Sequence, residues 1–109
     1  MKTLWRHADV DADLERYWLH LAHARGTGLA DQFLADTEIA FRELQRHPEL
    51  GRMSRWQHPR LDGVRSWRVS RRFRRWLIFY RETPSAVEII RVLHGTMNLA
   101  VRLLEPPEA

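Results

Sequence analysis

A chain of 109 residues without cysteine is long enough for one domain with its own core and excludes disulfide frameworks and thiolate chemistry. Its longest apolar run falls far short of a membrane span and no apolar leader opens it, so the expected location is the cytoplasm, away from membranes. The net charge of +4 is uneven: residues 1–50 carry 6 basic and 9 acidic side chains, residues 51–109 carry 12 and 5, which points the C-terminal half at an anionic partner, nucleic acid or an acidic protein segment.

Lys2 to Arg6 reads as a short strand that must pair elsewhere. Asp9, Asp11 and Asp13 mark a helix start, since acids there suit the unpaired N–H groups and the dipole. Leu14, Tyr17, Trp18 and Leu21 follow at helical spacing, and Arg25-Gly26 closes the helix. After a turn at Thr27-Gly28, Leu29, Phe33, Thr37, Ala40, Phe41 and Leu44 define a second helix to about Arg46, stopped by Pro48. The short connection makes the two an antiparallel hairpin. Glu49 to Gly63 reads as a long irregular stretch, with Trp56 as a lid over core or, less simply, an exposed platform.

Val64 to Gly95 holds three strand-like runs. Trp67 and Val69 alternate with Arg68 and Ser70, which predicts one wet face. Trp76–Tyr80 and Val87–Leu93 are apolar at both parities, which predicts cover on both faces. Arg71, Arg72, Arg74 and Arg75 surround the first turn, and Glu82 to Ser85, with Pro84, form the second. Met97 to Leu104 can add one or two helical turns. The expected fold is a single α+β domain over residues 1–109, β-α-α-β-β-β with a short final helix. Its antiparallel helical hairpin packs on one face of a small twisted, mainly antiparallel sheet. Leu77 or Ile78, and Ile89 or Ile90, must face the other side, where an apolar patch beside arginines would signal a protein partner.

Chemical motifs are few. His20 and His23 lie one helical turn apart, but without HExxH, paired cysteines or a carboxylate clamp no metal and no cofactor is expected. The serines lack a glycine elbow, and phosphate loops are absent. Metal-free ribonuclease chemistry needs proton transfer and cationic stabilisation. If the protein cuts RNA, Arg68, Arg91, Tyr80 and His94 are the candidates; otherwise Tyr80 and His94 are half-buried core residues, and no catalytic residue is assigned.

An ordered set of short patterns spans nearly the whole chain. These are Asp13-Leu14, Tyr17-Trp18 and Leu21-Ala22; then Ala30, Phe33, Phe41, Leu44, His47-Pro48 and Gly51-Arg52; then Gly63, Arg65, Trp67, Val69, Leu77–Arg81 and Arg91–Gly95. In this the chain resembles the RelE/ParE superfamily, the toxins of bacterial type II toxin–antitoxin modules. The resemblance implies a hetero-oligomer with a cognate antitoxin, whose C-terminal segment packs into the groove by helices and sheet. Arg65, Arg68 and Arg91 are the expected charge contacts there. It implies one of two targets: DNA gyrase in the ParE branch, or mRNA in the ribosomal A site in the RelE branch. Many members carry Arg and Asp two and three residues after the HG pair, where this chain has Met97 and Asn98. Methionine cannot assist cleavage, and on the central strands, where the cutting branch uses basic residues, this chain offers Arg68 but places Trp76 in the apolar run. Both points favour a ParE-like binding poison of gyrase that is not itself an enzyme, with Arg71, Arg72, Arg74 and Arg75 on the target. The alternatives are a RelE-like endonuclease or a degenerate, non-toxic copy that still binds antitoxin.

Overall fold

A computed structural model describes residues 1–96 and 98–106. The elements are β1 (Thr3–Arg6), α1 (Ala8–Arg25), α2 (Thr27–Arg46), β2 (Arg52–Met53), β3 (Val64–Arg68), β4 (Trp76–Glu82), β5 (Ala86–His94) and α3 (Leu99–Leu104). The sheet runs β1-β5-β4-β3-β2, with β1 parallel to β5 and every other pair antiparallel. Because β1 and β2 are the two edges, the helical hairpin carries the chain from one edge to the other. The meander then returns it to β1.

The reversal between the helices is tighter than the sequence suggests. Gly26 alone makes it, at φ 98°, with its amide donating to Ala22 O at 2.9 Å. A residue with a Cβ is strained at that φ. Thr27 and Gly28, expected as the turn, are instead the first residues of α2.

The main core lies between hairpin and sheet. Val10, Leu14, Tyr17 and Leu21 from α1, and Ala30, Phe33, Phe41 and Leu44 from α2, meet Ile78, Tyr80, Val87, Ile89 and Val92. Phe33 sits at its centre, edge-on to Phe73, Trp76 and Tyr17 at 5.3, 5.5 and 6.2 Å between ring centroids. Such contacts add about 0.5–1.5 kcal/mol each beyond the burial itself.

The second face of the sheet has its own cluster: Leu61, Val64, Phe79, Leu93 and Leu103, flanked by Trp56, Leu77, Ile90, Leu99 and Leu104. Leu77 and Ile90, not Ile78 and Ile89, therefore point this way. Along β3 and just past its end the expected alternation holds from Trp67 to Ser70, with Trp67 and Val69 on the main core and Arg68 exposed, whereas Val64 at the strand's start is buried on the second face. α3 and the 49–63 segment cover much of the apolar surface expected here, but they leave a hollow of about 250 Å³ lined by Met53, Trp56, Leu77, Phe79 and Leu99 beside Arg52, Arg55 and Arg65. The 49–63 segment is less irregular than its composition suggests. It holds two single 3₁₀ turns, Pro48–Leu50 and Pro59–Leu61, and the two-residue edge strand β2, and Trp56 lies half-buried 5.9 Å from the Phe79 ring.

Parity along β5 changes midway. Phe79 pairs with Arg91 but Tyr80 pairs with Ile89, so Ile90 is an extra residue, a β-bulge. Val87 and Ile89 face the main core before it, and Val92 after it. A bulge re-aims the side chains beside it.

Tyr80 fastens the 49–63 segment to the sheet. Its hydroxyl donates to Pro48 O at 2.6 Å and accepts from Gly51 N at 2.7 Å. A Cβ on Gly51 would lie 2.7 Å from Tyr80 Cε1 and closer still to its hydroxyl, a clash that backbone movement must relieve. Overpacking of this kind costs about 1–3 kcal/mol. Gly51→Ala is thus expected to lower stability by that amount in urea unfolding, whereas Gly28→Ala, where a Cβ meets nothing, is expected to be neutral or stabilising.

Candidate functional site

Asp13 and Arg91 form the best-defined polar centre among the described residues. Asp13 lies on the buried stripe of α1 and is fully buried. Arg91 Nε donates to its Oδ2 at 2.8 Å and Arg91 Nη2 to its Oδ1 at 2.7 Å, a bidentate pair. Asp13 Oδ2 also accepts from Val92 N at 3.0 Å, and Arg16 Nη1 approaches Oδ1 at 3.2 Å. On its outer side Arg91 Nη1 donates to Arg102 O of α3 at 3.1 Å, with Glu105 3.9 Å away. The Asp13 hydrogen bonds raise the guanidinium's pKa above its already high ordinary value. One arginine thus joins α1, β5 and α3. Asp13 is not simply a helix-start acid beside Asp9 and Asp11, and Arg91 presents little free surface.

Tyr80 and His94 are far apart. His94 pairs in register with Trp76, four positions along β4 from Tyr80, which is about 13 Å of strand. Tyr80 is fully buried, and burial pushes its hydroxyl above the usual tyrosine range. His94 is half-buried against the Trp76 ring at 4.7 Å, its Nδ1 2.7 Å from Thr96 Oγ1 and its backbone N–H bonded to Tyr17 Oη at 2.8 Å. Burial first, then Arg75 and His20, hold its pKa below 6.5.

The remaining arginines divide into used and displayed. Arg65 Nη1 donates to Gly51 O at 2.8 Å, bracing the same segment as Tyr80. Arg68 is exposed with its guanidinium 4.9 Å from the Trp67 ring centroid. Arg71, Arg72, Arg74 and Arg75 are all exposed on the β3–β4 loop, and none makes an ion pair or side-chain hydrogen bond among the described residues. Among the described residues no group of three or more His, Cys, Asp or Glu is placed to hold a metal ion. Asn98 precedes α3 and is exposed, while Met97 lies outside the described residues.

Two hollows flank α2. One, of about 580 Å³ against α1 and β1, is lined by Leu14, Trp18, Leu19 and Leu34 with Arg6, Asp11, Glu15 and Glu38 at its margin. The other, of about 180 Å³ against β3, is lined by Ile39, Ala40, Trp67 and Val69 with Asp36, Glu43, Arg68 and Ser70. Leu19 and Ile39 are more than half exposed in them, at 56% and 59%. Neither residue stands out in the sequence; their signal is an apolar side chain on the outer face of an amphipathic helix.

The fold is shared with a solved structure described as a chromosomal ParDE toxin–antitoxin system from P. aeruginosa, at a TM-score of 0.71 and 21% identity over 86% of this chain and 96% of that one. Residues 6–99 match the ParE toxin of type II toxin–antitoxin system, parDE. The chain is also 33% identical over 103 residues to Toxin ParE3 of Caulobacter vibrioides, covering 94% of this chain and 96% of that protein. This chain belongs to the ParE toxin family of type II toxin–antitoxin systems.

Asp13→Asn leaves the Arg91 charge buried without its counter-ion and is expected to cost about 3–5 kcal/mol in chemical denaturation. Asp13→Leu combined with Arg91→Met is expected to cost much less than the sum of the single changes. Stability also depends on pH through His94. Its native pKa lies below the unfolded 6.5, so the unfolded chain binds the proton first and stability falls as pH drops through about 6.5. The fall ends below the lowered native value. His94→Gln is expected to lessen this slope in thermal unfolding between about pH 7 and pH 5.

Proposed function

We propose that this toxin poisons DNA gyrase by binding, and that a cognate antitoxin neutralises it in the cytoplasm by occupying the hollow between α2 and β3. The observation that carries the reading is the contrast among its polar groups. Tyr80, Arg65 and Arg91 spend their hydrogen bonds inside the fold, whereas the four arginines of the β3–β4 loop spend none among the described residues. A ribonuclease requires a proton-transfer group and a cation converging on one phosphate. The separation of Tyr80 from His94 along β4 and the engagement of Arg91 by Asp13 support the binding reading instead.

The hollow against β3 suits an amphipathic segment. Ile39 and Trp67 offer apolar anchors, and Arg68 stands at its margin as the available charge contact. Arg65, on the same strand, does not line this hollow and braces Gly51 instead. Arg91 contributes by holding the fold rather than by reaching the partner. Ser70 lines the same hollow and adjoins Arg71, so an antitoxin seated there crowds the loop. Neutralisation then follows from exclusion of the target.

Purified toxin titrated into a gyrase supercoiling reaction is expected to abolish supercoiling and accumulate cleaved DNA, with antitoxin relieving both. Tyr80→Phe and His94→Ala proteins that remain folded are expected to stay within about threefold of wild type. Loss of toxicity in those folded variants, together with mRNA cleavage on ribosomes, would move the assignment to the endonuclease reading. Ile39→Asp is expected to weaken antitoxin binding at least tenfold while leaving gyrase inhibition intact.

A further inference from the structure

The four arginines of the β3–β4 loop share one rigid base. Phe73, between Arg72 and Arg74, is buried against Phe33 and Trp76 at 5.3 and 5.8 Å. Ser70 Oγ donates to Asp36 Oδ2 at 2.8 Å and accepts from Phe73 N at 3.2 Å. Trp76 N donates to Phe73 O at 3.1 Å, and Gly95 N to Arg75 O at 2.7 Å. The backbone is therefore fixed at both ends and in the middle, so binding has only the exposed arginine side chains to order.

The loop has the composition of neither a protein hot spot nor a single-strand platform. Arginine is enriched in protein hot spots, but there it stands beside buried aromatic or apolar anchors. Among the described residues the large exposed apolar side chains are Met1, Trp5, Leu19, Ile39, Leu50, Met53 and Val101, none of them within residues 70–76. Single-stranded nucleic acid is held by exposed aromatic rings on which bases stack, and the loop's one ring, Phe73, is buried. Charge without apolar or aromatic anchors matches a regular track of phosphates, which arginine contacts with its planar fork.

We propose that the β3–β4 loop is a docking surface for the phosphate backbone of duplex DNA, with Arg71, Arg72, Arg74 and Arg75 as its contacts. This rests on the gyrase reading only for its setting, because gyrase acts on duplex DNA. The toxin then engages enzyme and DNA together, and the loop supplies the sequence-independent share of the affinity.

The test is fluorescence anisotropy of a labelled 20-base-pair DNA duplex titrated with the full-length toxin, without gyrase, from 50 to 200 mM salt. If four phosphates are neutralised, binding is expected to weaken about 150-fold over that range. Arg72→Gln with Arg74→Gln is expected to reduce the change to about 12-fold. Arg42→Gln with Arg46→Gln removes the same charge from α2, away from the loop, and is expected to leave the wild-type slope. Thermal unfolding confirms that both double variants fold. The proposal fails if no binding occurs at 50 mM salt, or if the two double variants lose the same slope, which would indicate net charge alone. It also fails if an RNA duplex, a single strand or poly-glutamate binds tighter than the DNA duplex. Failure here with gyrase inhibition intact overturns the loop's DNA contact and leaves the target assignment standing. DNA binding without gyrase inhibition does the reverse.

Discussion

The buried pair between Asp13 and Arg91 is the constraint on which the arrangement of elements depends. It joins the first half of α1 to β5 beside the Ile90 bulge, and Arg91 reaches on to the last turn of α3. Ion pairs taken out of water are poor sources of net stability, because desolvation offsets most of the attraction. Their effect is selective: any other register of α1 on the sheet leaves a charge buried and unpaired. The apolar contacts between hairpin and sheet hold the core together, and this pair fixes how they meet.

That use of Arg91 has a functional consequence. An arginine on a central strand, near a histidine and on the same sheet as a tyrosine, looks like the kit of a metal-free nuclease. Here the arginine is taken by Asp13, the tyrosine fastens Pro48 and Gly51, and the histidine packs on Trp76. Outward-facing features among the described residues include a loop of exposed arginines and two hollows beside α2. In the proposed function these surfaces meet the partners, and the polar groups of the sheet keep them rigid.

Much of the fold was readable in the sequence because its signals are local. The 3.6-residue stripes of α1 and α2, the stop at Pro48 and the turn residues around β4 each depend on a few neighbours. The missing parts depend on distant contacts. β2 is two residues long, too short for any periodicity, and exists because β3 lies beside it. The bulge at Ile90 was invisible because β5 is apolar at both parities, so no pattern distinguishes its faces. The choice between Leu77 and Ile78 was hidden for the same reason. Asp13 did leave a trace: with Val10, Leu14, Tyr17 and Leu21 it completes the buried stripe of α1, and an acid on such a stripe requires a partner. Nothing in the sequence separates Arg91, which supplies that partner, from the arginines that remain on the surface. Arg71 to Arg75 were legible as exposed because a turn between two buried strands leaves long charged side chains nowhere else to go.

The central claim is that antitoxin and target meet adjoining but distinct surfaces of a rigid scaffold. Hydrogen–deuterium exchange on the toxin alone, with its antitoxin, and with gyrase bound to DNA tests it most directly. Antitoxin is expected to protect residues 36–43 and 67–70, and gyrase–DNA to protect residues 71–75. Adding gyrase–DNA to the antitoxin complex is expected to bring no further protection. Protection of residues 71–75 by neither partner, or of the strand around Arg91 and His94 by the target, would contradict the claim.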